Sequence, residues 1–157
     1  AIIGDIVGSI YEFDNIKTKT FPFFSKEKEF TDDSILTLAT AEWMLRGGNP
    51  ADYYLKYAQT YPYPMGSYGS MFINWIHLAS RGIMKPYHSC GNGSAMRVAP
   101  VGWGFNTLEE TLSAAKLSAE CTHNHPEGIK GAQATAMCIF MARQGSSIAE
   151  IRQTVSN

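Results

Sequence analysis

The chain is poor in the features that announce special environments. Its three cysteines, Cys90, Cys121 and Cys138, fall at spacings that match no zinc-binding pattern. Their odd number argues against a complete disulfide framework, and a reducing, cytoplasmic compartment is expected. Neither sign of charge dominates: 13 Lys and Arg face 14 Asp and Glu, a net of -1. The basic residues are scattered rather than massed, so nucleic acid is not an expected partner. No apolar run approaches the roughly 20 residues that cross a bilayer, and no charged-then-apolar leader precedes the first motif, so no membrane partner is expected. No segment alternates apolar and polar residues with period two, which leaves strands without a signal. Internal repeats and low-complexity tracts are also missing.

What is there describes one globular domain over residues 1–157. The chain is 45% hydrophobic and 17% charged, the composition of a folded protein with a sizeable core. Both ends are abrupt. Ala1-Ile2-Ile3-Gly4-Asp5 opens inside an apolar pattern without an initiator Met, and residues 147–157 read as a helix just getting under way. The sequence is therefore expected to be a piece of something longer.

Helical spacing dominates. A first helix is expected over residues 2–13, with Asp5, Ser9 and Glu12 at i, i+4 and i+7 on one face. Gly4 and Gly8 are spaced to let a neighbouring helix come close. Residues 14–30 read as an irregular loop anchored by Phe21-Pro22-Phe23-Phe24. A second helix should start at Thr31 or Asp32 and run to Arg46, burying Ile35, Leu38, Ala39 and Leu45 before Gly47-Gly48 stop it. Asn49-Pro50 opens a third helix that ends before Pro62. Further helices are expected over residues 70–81, from the Thr107/Glu110 capping box to about 121, and from Pro126 to 144. Ser147 and Glu150 repeat the box. The fold class is all-α.

Four islands of polar residues interrupt this pattern. Thr31-Asp32-Asp33 puts a hydroxyl and two carboxylates at a helix start, where one side chain suffices as cap. The remaining acceptors are the oxygen ligands that a hard cation such as Mg²⁺ prefers. Asp5 and Glu12 on the glycine face are either solvated acids or inward carboxylates in need of partners. Cys90-Gly91-Asn92-Gly93-Ser94-Ala95-Met96-Arg97 offers flexible backbone beside an arginine, suited either to starting a helix or to holding an anion. His123-Asn124-His125-Pro126 reads as a metal-binding pair or, since two His two residues apart cannot share a helix face, as a polar cap or a ring packed near a loop. The Tyr-rich loop 61–69 is a surface turn or a stacking platform for a planar ligand.

In order along the chain, these islands resemble the ADP-ribosylglycohydrolase family. The residues that carry the match are Gly4-Asp5-Ile6-Val7-Gly8-Ser9 with Glu12, and Phe30-Thr31-Asp32-Asp33-Ser34. Gly91-Asn92-Gly93-Ser94-Ala95-Met96-Arg97 with Pro100, and His123-Asn124-His125-Pro126 with Gly128 and Gly131-Ala132, continue it. The resemblance implies an orthogonal multi-helical domain with two Mg²⁺ ions in a central cleft. It also implies hydrolysis of the glycosidic bond between ADP-ribose and a protein side chain or small acceptor. By the same resemblance Thr31, Asp32 and Asp33 are metal ligands, Glu12 and Asp32 act on the scissile bond, and Gly91, Asn92, Gly93, Ser94, Met96 and His125 line the ADP-ribose pocket. One family element is absent: the late Asp-x-Asp-Thr motif has no counterpart, because Asp52 is the last aspartate. The fold is thus expected to be incomplete at the C-terminus, with weak Mg²⁺ binding and reduced or no activity in this piece. Two rival roles follow, a non-catalytic ADP-ribose reader and a structural, crystallin-like member.

Overall fold

In the computed structural model, which describes residues 1–156, the chain folds as a stack of helices. They are α1 (Ile2–Gly8), α2 (Asp32–Arg46), α3 (Pro50–Thr60), α4 (Ser70–Ala79), α5 (Gly93–Met96), α6 (Ala99–Gly104), α7 (Leu108–Glu120), α8 (Pro126–Arg143) and α9 (Ile148–Val155). Among the described residues there is no sheet; the one isolated bridge pairs Thr31 with Met65. No helix among them is long and apolar enough to cross a membrane.

Local chemistry sets most helix starts. The side chains of Thr31, Asn49, Thr107 and Ser147 each accept a backbone N–H from the first turn of α2, α3, α7 and α9 respectively, satisfying a donor that the helix itself cannot. At Ser147 the box is complete, with Glu150 returning a bond to the cap. α2 ends where Gly47 and Gly48 take φ of 76° and 88°, a region open to glycine at little steric cost.

α2 is the central element. Its Ile35, Leu36 and Ala39 belong to one core with Tyr54, Phe72 and Trp75 of α3 and α4. Its Trp43 belongs to a second core with Val98, Val101, Ala115, Ala119, Ala132 and Ala136 from the α6–α8 side. The expected inner stripe is only half right: Ile35 and Ala39 are buried, but Leu38 and Leu45 are 47% and 86% exposed. α2 carries apolar residues on every side, so periodicity alone does not fix which side faces the core.

Two other expectations are corrected. The first helix stops at Gly8 and tightens into a 3₁₀ turn over Ser9–Tyr11, where the Ser9 hydroxyl bonds the Ile6 carbonyl at 3.0 Å. No helix packs on its glycines: a Cβ on Gly4 or Gly8 would meet nothing within 4 Å, because both border an open cleft. In the loop that follows, Phe23 and Phe24 are mostly exposed. The anchor is instead Lys28, buried beneath the loop with its ammonium on the Pro22 carbonyl and 4.9 Å from the Tyr11 ring centre.

Candidate functional site

The start of α2 is tied down by an acid from α1. Asp5 Oδ2 accepts the backbone N–H groups of Thr31 and Ser34 at 2.9 and 3.2 Å. The hydroxyls of the same two residues donate to Asp5 at 2.6 Å each. Thr31 Oγ1 also accepts the Asp33 N–H at 3.2 Å. A hydroxyl has one proton and two lone pairs. With the proton on Asp5 and one lone pair on Asp33, a single lone pair of Thr31 remains for anything else.

That cap leaves Asp32 and Asp33 unengaged by it and turned to either side of Asn92. Asp32 lines a cavity of about 260 Å³ together with Gly91, Asn92, Gly93, Met96 and His123. Thr31 and Asp33 line an adjoining cleft of about 450 Å³ with Asp5, Glu12 and again Asn92. Two of the islands, separated by some sixty positions, thus meet at Asn92. The Glu12 carboxylate sits against the loop that precedes α4, where a Cβ on Gly66 would lie 2.8 Å from Oε2.

The acids here repel one another, with no basic side chain paired to them among the described residues. Burial, then the charges of Asp33, Glu12 and Asp5, push the Asp32 carboxyl up to about 7. Burial and the charges of Asp5 and Glu12 push Asp33 up to about 6. Among the described residues the ion pairs involve Glu42, Glu120 and Glu127, none of them at this wall. An oxygen-only donor set with uncompensated negative charge has the chemistry of a hard divalent-cation site. Among the described residues no three Asp, Glu, His or Cys side chains converge closely enough to hold a metal ion.

The opposite wall is built by α5 and the turn between α7 and α8. A Cβ on Gly93 would come within 2.8 Å of the His123 ring, and one on Gly128 within 2.6 Å of the Ser89 carbonyl oxygen. The missing side chains are what let the Cys90–Gly93 turn pack against both. Burial, with the Arg97 charge nearby, pulls His123 down to about 4, so its ring is neutral near pH 7. Burial raises the neighbouring Tyr87 phenol to about 12, and its ring meets His123 edge-on at 5.5 Å.

Not every residue singled out from the sequence lines this cavity. Ser94 is buried and points away, its hydroxyl donating to the Gly128 carbonyl at 2.7 Å, where it pins α5 to the first turn of α8. His125 caps α8, accepting the Glu127 N–H at 3.1 Å, and its ring lies against His88. His123 takes the cavity position instead. Arg97 does line the cavity floor but offers no open fork to an anion: it is fully buried, its guanidinium 3.8 Å from the centre of the Tyr54 ring. Tyr68 is buried and bonds the Tyr61 carbonyl, so Phe72 and Tyr87 are the aromatic residues of the cavity. Tyr87 carries no motif in the sequence, and only the fold brings it here.

Comparison with known proteins gives the same reading of the whole chain. The family profile described as ADP-ribosylglycohydrolase matches residues 1–157. The chain is similar to the ADP-ribosylhydrolase ARH3 of Mus musculus, 27% identical over an alignment of 180 positions that covers 96% of this chain and 49% of that protein. The Homo sapiens protein of the same name is 27% identical over 96% of this chain and 50% of its own length. The Bos taurus one is 28% identical over 96% and 49%. The chain spans about half the length of the curated relatives it matches.

Proposed function

The chain belongs to the ADP-ribosylglycohydrolase family, and from that premise we propose that the full protein is a Mg²⁺-dependent hydrolase. Its reaction cleaves the glycosidic bond joining ADP-ribose to a protein side chain or small acceptor. The observation that carries this reading is the meeting at Asn92 of an acid wall and a glycine-rich turn. The first suits a cation and ribose hydroxyls, the second a phosphorylated group.

In this reading Thr31, through its one free lone pair, and Asp32 and Asp33, through their carboxylates, would hold Mg²⁺. Bound there, Mg²⁺ supplies charge stabilisation and orientation for ribose oxygens and water. Cleavage at the anomeric carbon passes through an oxocarbenium-like state, which needs a carboxylate near the ring and a base for the attacking water. Asp32 borders the cavity, where its carboxylate is placed to accept the proton of an attacking water. Glu12, across the adjoining cleft, orients the same water. Gly91, Asn92, Gly93 and Met96 receive the ADP-ribose.

One observation favours a second reading for this chain taken alone. The Asn92 cavity is bounded by residues of this chain, and in the second reading it binds ADP-ribose without turnover. The experiment is release of ADP-ribose from a modified protein by the full-length protein, with Mg²⁺ and with chelator. Release that stops on chelation, and in Asp33→Ala, supports the hydrolase. Binding without release supports the reader, and release indifferent to chelation contradicts the acid wall as a metal site.

A further inference from the structure

The cavity wall opposite the acids holds a hydrogen-bond chain that the proposed function does not use. It begins at Arg97, whose Nη2 donates to the Ser118 carbonyl at 2.7 Å and to Thr122 Oγ1 at 2.8 Å. Arg97 Nε and Nη1 are buried without partners, and the residue is 0% exposed. Thr122 Oγ1 in turn lies 2.9 Å from His123 Nδ1. The His123 ring edge, through Nε2 and Cε1, faces the cavity at Gly93.

The direction of this chain follows from what each group can do. A guanidinium only donates, so Thr122 must accept from Arg97. The single Thr122 proton then has two possible acceptors, the Ala119 carbonyl at 3.4 Å and His123 Nδ1 at 2.9 Å. The shorter contact takes it. With the Thr122 proton on that contact, Nδ1 is the accepting nitrogen of the ring and the proton of neutral imidazole sits on Nε2. The Tyr87 ring, edge-on to His123, holds the ring plane.

We propose that Arg97 and Thr122 are positioning residues: through a one-way hydrogen-bond relay they fix His123 as an Nε2–H donor aimed at the Gly91–Gly93 side of the cavity. Such a donor takes an oxygen acceptor from the ligand, which, resting on the hydrolase reading above, is a phosphoryl oxygen of ADP-ribose. The buried Arg97 charge also disfavours protonation of the ring, which keeps the relay in one state. A freely rotating or Nδ1-protonated imidazole would present a lone pair instead, and a lone pair repels phosphate.

The test pairs a spectroscopic signature with ligand affinity. Two-bond ¹H–¹⁵N spectra of the protein at pH 7 are expected to show His123 with Nε2 protonated and Nδ1 bare. An Nδ1–H or doubly protonated ring overturns the relay whatever the ligand. In calorimetry with ADP-ribose, Thr122→Val is expected to weaken binding about tenfold, the scale of one misdirected hydrogen bond. Thr122→Ser, which restores the hydroxyl, is expected to bind within a few-fold of the unchanged protein and to retain its Nε2–H signature. Equal affinity in the Val and Ser variants, both folded by circular dichroism, overturns the proposal. If the Nε2–H signature is present but the unchanged protein does not bind ADP-ribose, the relay stands and the choice of ligand falls.

Discussion

Asp5 and Thr31 stand 26 positions apart in the sequence and are joined by two hydrogen bonds, 2.9 Å from the Thr31 N–H and 2.6 Å from its hydroxyl. Through them an acid on α1 caps α2, doing for Thr31 and Ser34 what a local cap does for a single residue. The same pairing turns Thr31 so that one lone pair is left over beside Asp33.

Asp5→Ala is accordingly expected to lower stability by about 2 kcal/mol, since it strips a shared acceptor from two backbone N–H groups and two hydroxyls. Urea unfolding measures this as a lower midpoint at unchanged slope. A midpoint equal to that of the unchanged protein contradicts the cap.

The two crowded glycines of the turn are expected to respond differently. Gly128→Ala puts its Cβ 2.6 Å from a backbone oxygen, which cannot swing aside, and should cost about 1–3 kcal/mol. Gly93→Ala meets only the edge of the His123 ring, a side chain rather than backbone. It should cost less stability and more ADP-ribose affinity. Thermal unfolding and calorimetry on both variants read the two effects, and the opposite ranking refutes the packing described for the cavity wall.

The acid wall has a pH signature in the metal-free protein. Asp32 and Asp33 have folded-state values, about 7 and about 6, above the 3.8 of an unperturbed Asp. Their neutral forms are thus favoured by folding, and this contribution is fully present below about pH 4 and lost as pH rises to 7. Asp32→Asn and Asp33→Asn should each melt higher than the unchanged protein at pH 7, with the gap closing near pH 4. His123 acts in the opposite sense: its depressed value favours folding at higher pH and loses that contribution as pH falls through about 4. Comparing variants at each pH removes its contribution. A gap that does not change with pH contradicts mutual repulsion at the wall.

How much of this was legible in the sequence depended on range. Thr31, Asn49, Thr107 and Ser147 cap helices through bonds to residues two or three positions on, and their spacing alone announced them. The all-α fold followed from such signals. The inner face of α2 did not, because Leu38 and Leu45 are as apolar as the residues that are buried. Nor did the choice between His123 and His125: which ring faces the cavity depends on where α7 ends and α8 begins, and Pro126 spends His125 on the cap. The role of Asp5 rests on a contact between distant segments, and local pattern carries no trace of it. The Thr31–Asp33 and Gly91–Met96 islands were recognisable, while their meeting at Asn92 belongs to the tertiary fold.

The most direct measurement is an ADP-ribose titration of the ¹⁵N-labelled protein followed at every amide. The account predicts that Asp32, Gly91, Asn92, Gly93 and His123 shift together and saturate with a single dissociation constant, while the far surface around Leu117 stays still. Shifts confined to that far surface, or none at millimolar ADP-ribose, would contradict it.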